Sequence, residues 1–194
     1  KQQSLDYIAA EMGDALIFND RWDLLSFAAR EAPEDGLMIE CGVADGASLR
    51  HTARDSVRHF HGFDSFEGLP EAWAGTFEQK GKFGRGGTLP EVPGNVVLHK
   101  GWFEQTLPPF LAGHPDDGVA FLHVDCDIYS STVTVLRTLA SRLRPGAILV
   151  FDEYFNYPNW QRHEWRAFQE FIRDTGLSYR YIGFAQKNGH VAVR

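Results

Sequence analysis

The sequence is poor in cysteine, in long apolar runs and in positive charge. Its two cysteines, Cys41 and Cys126, lie in strand-like segments, which favours buried thiols in a reduced protein over a disulfide. No run approaches the roughly 18 apolar residues of a membrane span, and no signal-peptide pattern opens the chain. The net charge of −7 argues against nucleic acid as the main partner. These absences predict a cytoplasmic protein that binds neither nucleic acid nor membrane.

A chain of 194 residues that is 43% hydrophobic fits one domain, residues 1–194, with a sizeable core. Apolar strand-like runs alternate with helical patterns along most of it. The predicted strands are GLMIE (36–40), RHFHGFD (58–64), NVVLHK (95–100), VAFLHVD (119–125) and AILVFD (147–152). The predicted helices cover residues 20–32, 46–57 and 130–143, and the last one stops at Arg144-Pro145-Gly146. Such alternation is typical of a mostly parallel sheet covered on both faces.

The C-terminal part follows a different order. A helical pattern at 164–175 precedes the runs YRYIG (179–183) and HVAVR (190–194), which are joined across Lys187-Asn188-Gly189. Asn-Gly between two such runs indicates a hairpin. The sequence therefore predicts an α/β fold. It has a doubly wound, mostly parallel seven-stranded sheet with an antiparallel C-terminal hairpin strand, helices on both faces and an N-terminal helical segment at 1–35.

One long connection interrupts this alternation. Residues 71–94 carry the glycines Gly75, Gly81, Gly84, Gly86, Gly87 and Gly94 between two predicted strands. Loops of this length are commonly functional lids, and the alternative is a disordered surface excursion. Trp73, Phe77 and Phe83 favour a lid, because aromatic side chains suit a loop that has something to cover.

Four acids end apolar runs at the same predicted edge of the sheet. They are Glu40, Asp64, Asp125 and Asp152. Ligands of doubly wound sheets bind beyond the carboxyl ends of the strands. A single acid there could be a helix cap, but four at one edge indicate a site.

The turn after the first predicted strand restricts the ligand. Gly42-Val43-Ala44-Asp45-Gly46 lacks the middle glycine of a dinucleotide fingerprint and sets Asp45 where a pyrophosphate would lie. A ligand with an ammonium group suits these charges better. Asp64 ends the next strand, where an acid can accept both hydroxyls of a ribose. A nucleoside with a cationic amino-acid tail is S-adenosylmethionine.

Five segments resemble the class I S-adenosylmethionine-dependent methyltransferases, specifically the macrocin O-methyltransferase (TylF-like) family. They are IECGVADGAS (39–48), GFDSFEGLPE (62–71), KGWFEQTLP (100–108), HVDCDIYSST (123–132) and FDEYFNYPNW (151–160). The resemblance implies transfer of a methyl group to a sugar hydroxyl of a natural product. A catechol-like diol is the alternative acceptor.

The resemblance also implies the cofactor contacts. Glu40, Gly42 and Gly46 would line the methionine part, with Ser48 at the start of the following helix. Asp64 would take the ribose hydroxyls, with Ser65 and Phe66 beside it. Gly101, Trp102 and Phe103 would border the adenine, although ordinary core packing also explains the two aromatic residues.

The remaining acids predict a metal site. Asp125 ends one strand and Asp152-Glu153 end the next, and neighbouring strand ends lie about 5 Å apart. Carboxylates this close repel one another unless they are neutralised, and oxygen ligands suit Mg²⁺ first, with Ca²⁺ or Mn²⁺ as alternatives. The family resemblance implies the same trio. The alternative is that Asp152 and Glu153 cap the next segment and that Asp125 pairs with a buried histidine or arginine. We interpret Asp127 as structural, through a bond near Ser130 or Ser131.

The expected mechanism is methyl transfer to a deprotonated hydroxyl of a small-molecule acceptor, with Asp125 as the general base. His123 is interpreted as a hydrogen-bonded core residue and His163 as a helix-surface residue. Two other classes of protein remain open at this point: a nucleotide-linked oxidoreductase on a similar sheet, and a cofactor-binding protein without catalysis. A homo-oligomer is also left open.

Overall fold

The computed structural model describes residues 2–187 and 189–194. The helices are α1 (Gln2–Glu11), α2 (Arg21–Glu31), α3 (Ala47–Ala53), α4 (Phe103–Gly113), α5 (Tyr129–Leu139) and α6 (Glu164–Thr175), with short 3-10 turns at Ala140–Arg142 and Trp160–Arg162. The strands are β1 (Leu16–Phe18), β2 (Leu37–Cys41), β3 (Phe60–Asp64), β4 (Val96–Lys100), β5 (Val119–Val124), β6 (Leu143–Phe151), β7 (Tyr181–Ala185) and β8 (Val191–Val193).

The strands form one sheet in the order β1-β7-β8-β6-β5-β2-β3-β4. All pairings are parallel except those of β8, which runs antiparallel to both β6 and β7. The predicted mostly parallel fold with an antiparallel C-terminal strand is confirmed. The connecting turn of the predicted hairpin includes Asn188, which lies outside the described residues.

The sheet has an eighth strand that the sequence analysis did not predict. β1 pairs in parallel with β7, from Leu16 opposite Gly183 to Phe18 opposite Ala185. Leu16 and Ile17 are more than half exposed, so this short edge strand lacks the buried apolar run by which the other strands were found. The N-terminal segment is therefore helix, strand and helix.

Alternating residues of the central strands face two separate core layers. Ile39, Leu122 and Leu149 belong to the cluster that packs against α4, α5 and α6. Met38 and Phe121 belong to the opposite cluster, which includes residues of α2 and α3. This alternation follows from the two-residue period of a strand and gives a sheet covered on both faces.

Both cysteines are buried and free, as predicted. Among the described residues, no helix combines the length and the apolar character needed to cross a bilayer.

Candidate active site

The carboxyl ends of β6, β5, β2 and β3 are neighbours in the sheet, and a cleft of about 530 Å³ opens above them. Most of the predicted site residues line this cleft: Gly42, Ser48, Asp64, Ser65, Gly101, Trp102, Phe103, Asp125, Asp152 and Glu153. Glu40, Gly46 and Phe66 do not line it. Trp102 and Phe103 are partly exposed at the start of α4, so core packing alone does not account for them.

The turn after β2 needs glycine at position 42 for a reason within the protein. Gly42 has a φ of +97°, and a Cβ there would lie 1.6 Å from the backbone oxygen of Asp125. The sequence analysis placed Gly42 beside the methionine part of the cofactor. The close approach of the chain after β5 already requires it.

Asp64 holds the same turn against β3. One carboxylate oxygen accepts hydrogen bonds from the amides of Val43 and Ala44, both at 2.8 Å, and the other accepts from the amide of Phe66 at 2.7 Å. Phe66 contributes this amide, but its side chain is buried in the core and does not face the cleft. The second oxygen, Oδ1, accepts a single amide and keeps a lone pair with which to accept from a ligand hydroxyl.

Glu40 lies beneath the cleft and not in its wall. One of its oxygens accepts from the Ser48 hydroxyl at 2.7 Å, and the other lies 2.8 Å from Nδ1 of His123. Burial lowers the pKa of His123, but its contacts with Asp152 and Glu40 outweigh burial and raise it well above its ordinary value. His123 therefore lies between Glu40 and Asp152 and is hydrogen-bonded to Glu40, as a buried residue of the predicted kind.

The Asp152 carboxylate is surrounded by cationic and imidazole groups. Its Oδ2 lies 3.1 Å from the guanidinium of Arg21, and its Oδ1 lies 3.0 Å from His190 Nδ1 and 3.5 Å from His123 Nε2. Burial opposes ionisation, but these imidazoles hold the pKa of Asp152 well below its usual range. The negative charge of Asp152 is therefore balanced by groups of the protein itself.

The oxygen-only group that could hold a cation differs from the predicted trio. Asp125, Asp127 and Glu153 bring carboxylate oxygens within 4.8 Å of one another, whereas Asp152 groups with His123 and Asp125. Asp127 thus occupies the place expected for Asp152. Within the described ranges, its side chain makes no hydrogen bond to Ser130 or Ser131, and its left-handed φ of 62° is an uncommon conformation for aspartate.

The electrostatics of this group suit a hard cation. Burial, with the charge of Asp152, raises the pKa of Asp127 to about 7 and raises those of Asp125 and Glu153 well above their ordinary values. Glu153 Oε2 is buried without a hydrogen-bond partner in the described part of the chain. Clustered, uncompensated carboxylate oxygens match the ligands that Mg²⁺ prefers.

The long loop rests on the segment between β6 and α6. Trp73 is buried, Phe83 lines the cleft and Phe77 is almost fully exposed, so only two of the three aromatic residues cover anything. The surface role predicted for His163 is wrong. It is 3% exposed, and its Nε2 donates to the carbonyl of Ala74 in the loop at 2.9 Å.

Sequence reasoning missed three residues of the site. Arg21, at the start of α2, reaches Asp152, and His190 approaches the same carboxylate from the segment before β8. Glu164, at the start of α6, accepts the amide of Glu153 at 2.9 Å. Arg21 and His190 reach Asp152 from positions distant in the sequence, whereas Glu164 lies 11 positions from Glu153. Only the acid at position 164, next to a histidine that was considered, offered a local signal.

The chain has recognisable relatives. A family model described as a methyltransferase domain matches residues 39–154. The 8-demethyl-8-(2,3-dimethoxy-alpha-L-rhamnosyl)-tetracenomycin-C 4'-O-methyltransferase of Streptomyces olivaceus is 31% identical over 163 residues, covering 69% of this chain and 60% of the relative. The mycinamicin III 3''-O-methyltransferase of Micromonospora griseorubida is 31% identical over 100 residues, covering 52% of this chain and 35% of the relative.

The chain thus spans less than two thirds of either curated relative. Among solved structures, the calicheamicin methyltransferase CalS11 superposes with a TM-score of 0.70 over 89% of this chain and 76% of that one, at 24% identity. That likeness concerns the fold, whereas the family match covers the strand ends from Glu40 to Glu153 that form the cleft. The chain belongs to the methyltransferase domain family.

Proposed function

We propose that this chain transfers the methyl group of S-adenosylmethionine to a sugar hydroxyl of a glycosylated natural product, with a divalent cation, as a macrocin-type O-methyltransferase. One observation carries the proposal. Asp64 and the Asp125–Asp127–Glu153 group open onto the same cleft, so a nucleoside-binding acid and a cation-binding group lie in one site. The names of the two curated relatives, both O-methyltransferases, support the acceptor class.

The cofactor side is formed by β2, β3 and the start of α4. Asp64 accepts the ribose hydroxyls, the turn at Gly42 approaches the methionine part, and Trp102 and Phe103 border the adenine. Glu40 acts from beneath the cleft. It accepts a hydrogen bond from the Ser48 hydroxyl and so orients Ser48, which lines the cleft. The turn keeps this shape because the Asp64 carboxylate accepts the amides of Val43 and Ala44.

The cation side is formed by the ends of β5 and β6. Asp125, Asp127 and Glu153 are the residues that would hold Mg²⁺, and their unpaired oxygens and raised pKa values fit that role. A bound cation would lower the pKa of the acceptor hydroxyl, and the sulfonium cofactor would supply an electrophilic methyl group. Asp125 accepts the acceptor's proton as the general base, and Asp152 remains paired with Arg21.

Calorimetry with S-adenosylhomocysteine, NAD and NADP, each with and without Mg²⁺, tests the proposal. We expect S-adenosylhomocysteine to bind and the two dinucleotides not to bind.

Mass spectrometry with S-adenosylmethionine, Mg²⁺ and a panel of glycosides and catechols then identifies the acceptor class by a gain of one methyl group. Asp116→Asn, at an exposed acid outside the cleft, is the matched control for acid substitutions. Binding of NAD without binding of S-adenosylhomocysteine contradicts the proposal.

A further inference from the structure

Unpaired buried polar atoms concentrate where the long loop meets the segment before α6. Among the described residues, Trp73 Nε1, Tyr157 OH, His163 Nδ1 and Glu164 Oε1 are all buried without a hydrogen-bond partner. The Trp73 ring centroid lies 5.9 Å from that of Tyr157 and 6.0 Å from that of His163, and the Tyr157 and His163 rings stack at 6.1 Å. Burying such groups unpaired destabilises a protein, so their concentration in one contact requires an explanation.

The hydrogen-bonding roles of these atoms complement one another. The Trp73 indole N–H can only donate, and the Tyr157 hydroxyl can donate or accept. His163 Nε2 donates to the Ala74 carbonyl, and burial lowers the pKa of His163, so its Nδ1 presents a lone pair. Glu164 uses Oε2 to accept the Glu153 amide, and its Oε1 stays available. Donors and acceptors thus lie side by side without bonding to one another.

A group that both donates and accepts would satisfy such a set. The hydroxyls of a sugar do both, and the C–H faces of a sugar ring pack against aromatic rings of the kind found here. The set also adjoins the cation side of the cleft. Glu164 bonds directly to Glu153, and burial together with the charges of Glu164 and Glu153 raises the pKa of Tyr157. A sugar bound here would present a neighbouring hydroxyl to the carboxylates.

The loop that covers these atoms is attached by few contacts. Trp73 packs with Leu69 and Ile128 in a small cluster separate from the two main core layers. Two other residues of the loop are held by hydrogen bonds. His163 donates to the Ala74 carbonyl, and the Ser130 hydroxyl donates to the Glu71 carboxylate at 2.6 Å. Lifting this part of the loop therefore breaks only these few contacts, separates Trp73 from the Tyr157 and His163 rings, and leaves the main core intact.

We propose that Trp73, Tyr157, His163 and Glu164 form the subsite that binds the sugar ring of the methyl acceptor, beneath the loop at residues 71–75. The subsite deepens the proposed methyltransferase function and rests on it. Trp73 and Tyr157 bind the ring and its hydroxyls, so they determine acceptor specificity and have no contact with the cofactor.

The test compares two isosteric substitutions of tyrosines whose hydroxyl groups are buried. Tyr157→Phe removes an unpaired hydroxyl. Tyr154→Phe removes one that is bonded to Tyr181 at 2.6 Å and to Gln169 at 3.0 Å. The probe is methyl α-L-rhamnopyranoside, followed by saturation-transfer NMR with S-adenosylhomocysteine and Mg²⁺ present. We expect Tyr157→Phe to weaken binding of the glycoside about tenfold and to leave the melting temperature unchanged or higher. Tyr154→Phe should lower the melting temperature and leave glycoside binding unchanged.

Trp73→Phe provides an independent check, with Phe77→Leu as the control at an exposed position of the same loop. Loss of glycoside binding in Trp73→Phe alone, with unchanged affinity for S-adenosylhomocysteine, supports the subsite. Wild-type protein that binds S-adenosylhomocysteine but not the glycoside overturns the subsite and leaves the methyltransferase proposal standing. Glycoside binding that is unaffected by Tyr157→Phe and Trp73→Phe also overturns it, and the four atoms then bind only buried water. Failure to bind S-adenosylhomocysteine overturns the proposed function itself.

Discussion

The two halves of the cleft differ in how far the protein satisfies its own acids. On the cofactor side, Asp64 accepts three backbone amides, and Glu40 is bonded to Ser48 and His123. On the cation side, no hydrogen bond or ion pair within the described ranges reaches the side chains of Asp125 or Asp127. The first half is organised by the chain alone, whereas the second is a set of crowded carboxylates that a cation would balance. The halves should therefore respond differently to substitution.

Asp125→Asn is expected to have the largest effect on turnover. The amide keeps the size of the side chain, but it carries no negative charge and cannot accept a proton at neutral pH. We expect methyl transfer to fall on the order of a hundredfold or more, Mg²⁺ affinity to fall, and affinity for S-adenosylhomocysteine to stay unchanged. Kinetics and calorimetry on one preparation measure all three. Near-normal transfer would remove Asp125 from the mechanism, and loss of cofactor binding would mean that it supports the fold.

Asp64→Ala is expected to affect the opposite half. Affinity for S-adenosylhomocysteine should weaken by roughly 2 to 3 kcal/mol, since the ribose hydroxyls lose a charged acceptor. The melting temperature should also fall, because the amides of Val43, Ala44 and Phe66 lose their partner. Mg²⁺ affinity should be retained. Calorimetry and thermal melting beside Asp116→Asn measure these effects, and wild-type affinity for the ligand would place the cofactor elsewhere.

A pair of substitutions distinguishes the two candidate metal sets. Asp127→Asn should weaken Mn²⁺ or Mg²⁺ binding on the order of tenfold, because it removes an oxygen ligand that is not otherwise paired. Asp152→Asn should change metal affinity little and lower stability instead, because it leaves Arg21 without its carboxylate partner. Electron paramagnetic resonance of Mn²⁺ and thermal melting separate the outcomes. The reverse pattern would restore Asp152 to the metal site.

The sequence located the strand ends of the site better than the contacts among their side chains. Asp64 and Asp125 end long apolar runs, so their shared edge follows from the period and order of the strands. The pairing of Asp152 with Arg21 depends on residues 131 positions apart, which no local pattern specifies. The bond expected between Asp127 and Ser130 or Ser131 is not formed in the described part of the chain, where Asp127 has a left-handed backbone conformation that no sequence pattern specified. Helix α4 was not predicted, and it contains Pro108 and Pro109, which normally disfavour a helix interior.

The loop at residues 71–94 is expected to respond to both halves of the cleft. Phe83 lines the cleft, and Trp73 packs against the Tyr157 ring of the segment between β6 and α6. We expect hydrogen exchange across 71–85 to slow when S-adenosylhomocysteine, Mg²⁺ and a glycoside are bound, because closure orders the loop over its ligands. Exchange in β5 should not change. Equal exchange of the loop with and without ligands would make it an ordinary surface connection.

The histidines, like the acids, differ in whether the protein supplies a partner of opposite charge. The pH dependence of stability that follows is the smallest effect we expect. His123 lies between two carboxylates, whereas Nδ1 of His61 lies 3.1 Å from Nε2 of His99, and no acid of the described chain pairs with either of these two histidines. Burial, with the charges of His99, His114 and His59, lowers the pKa of His61 to about 4, and burial also lowers that of His99. The unfolded chain, in which a histidine titrates near 6.5, therefore binds more protons than the folded chain between pH 6.5 and 4. Stability from this pair is complete above pH 6.5 and is lost as the pH falls towards 4.

We expect the wild type to lose more degrees of melting temperature between pH 7 and 5 than a His61→Gln/His99→Gln variant does. Both proteins share the carboxylates that titrate in this range, so the difference isolates the histidines, and parallel curves would show that the pair does not contribute.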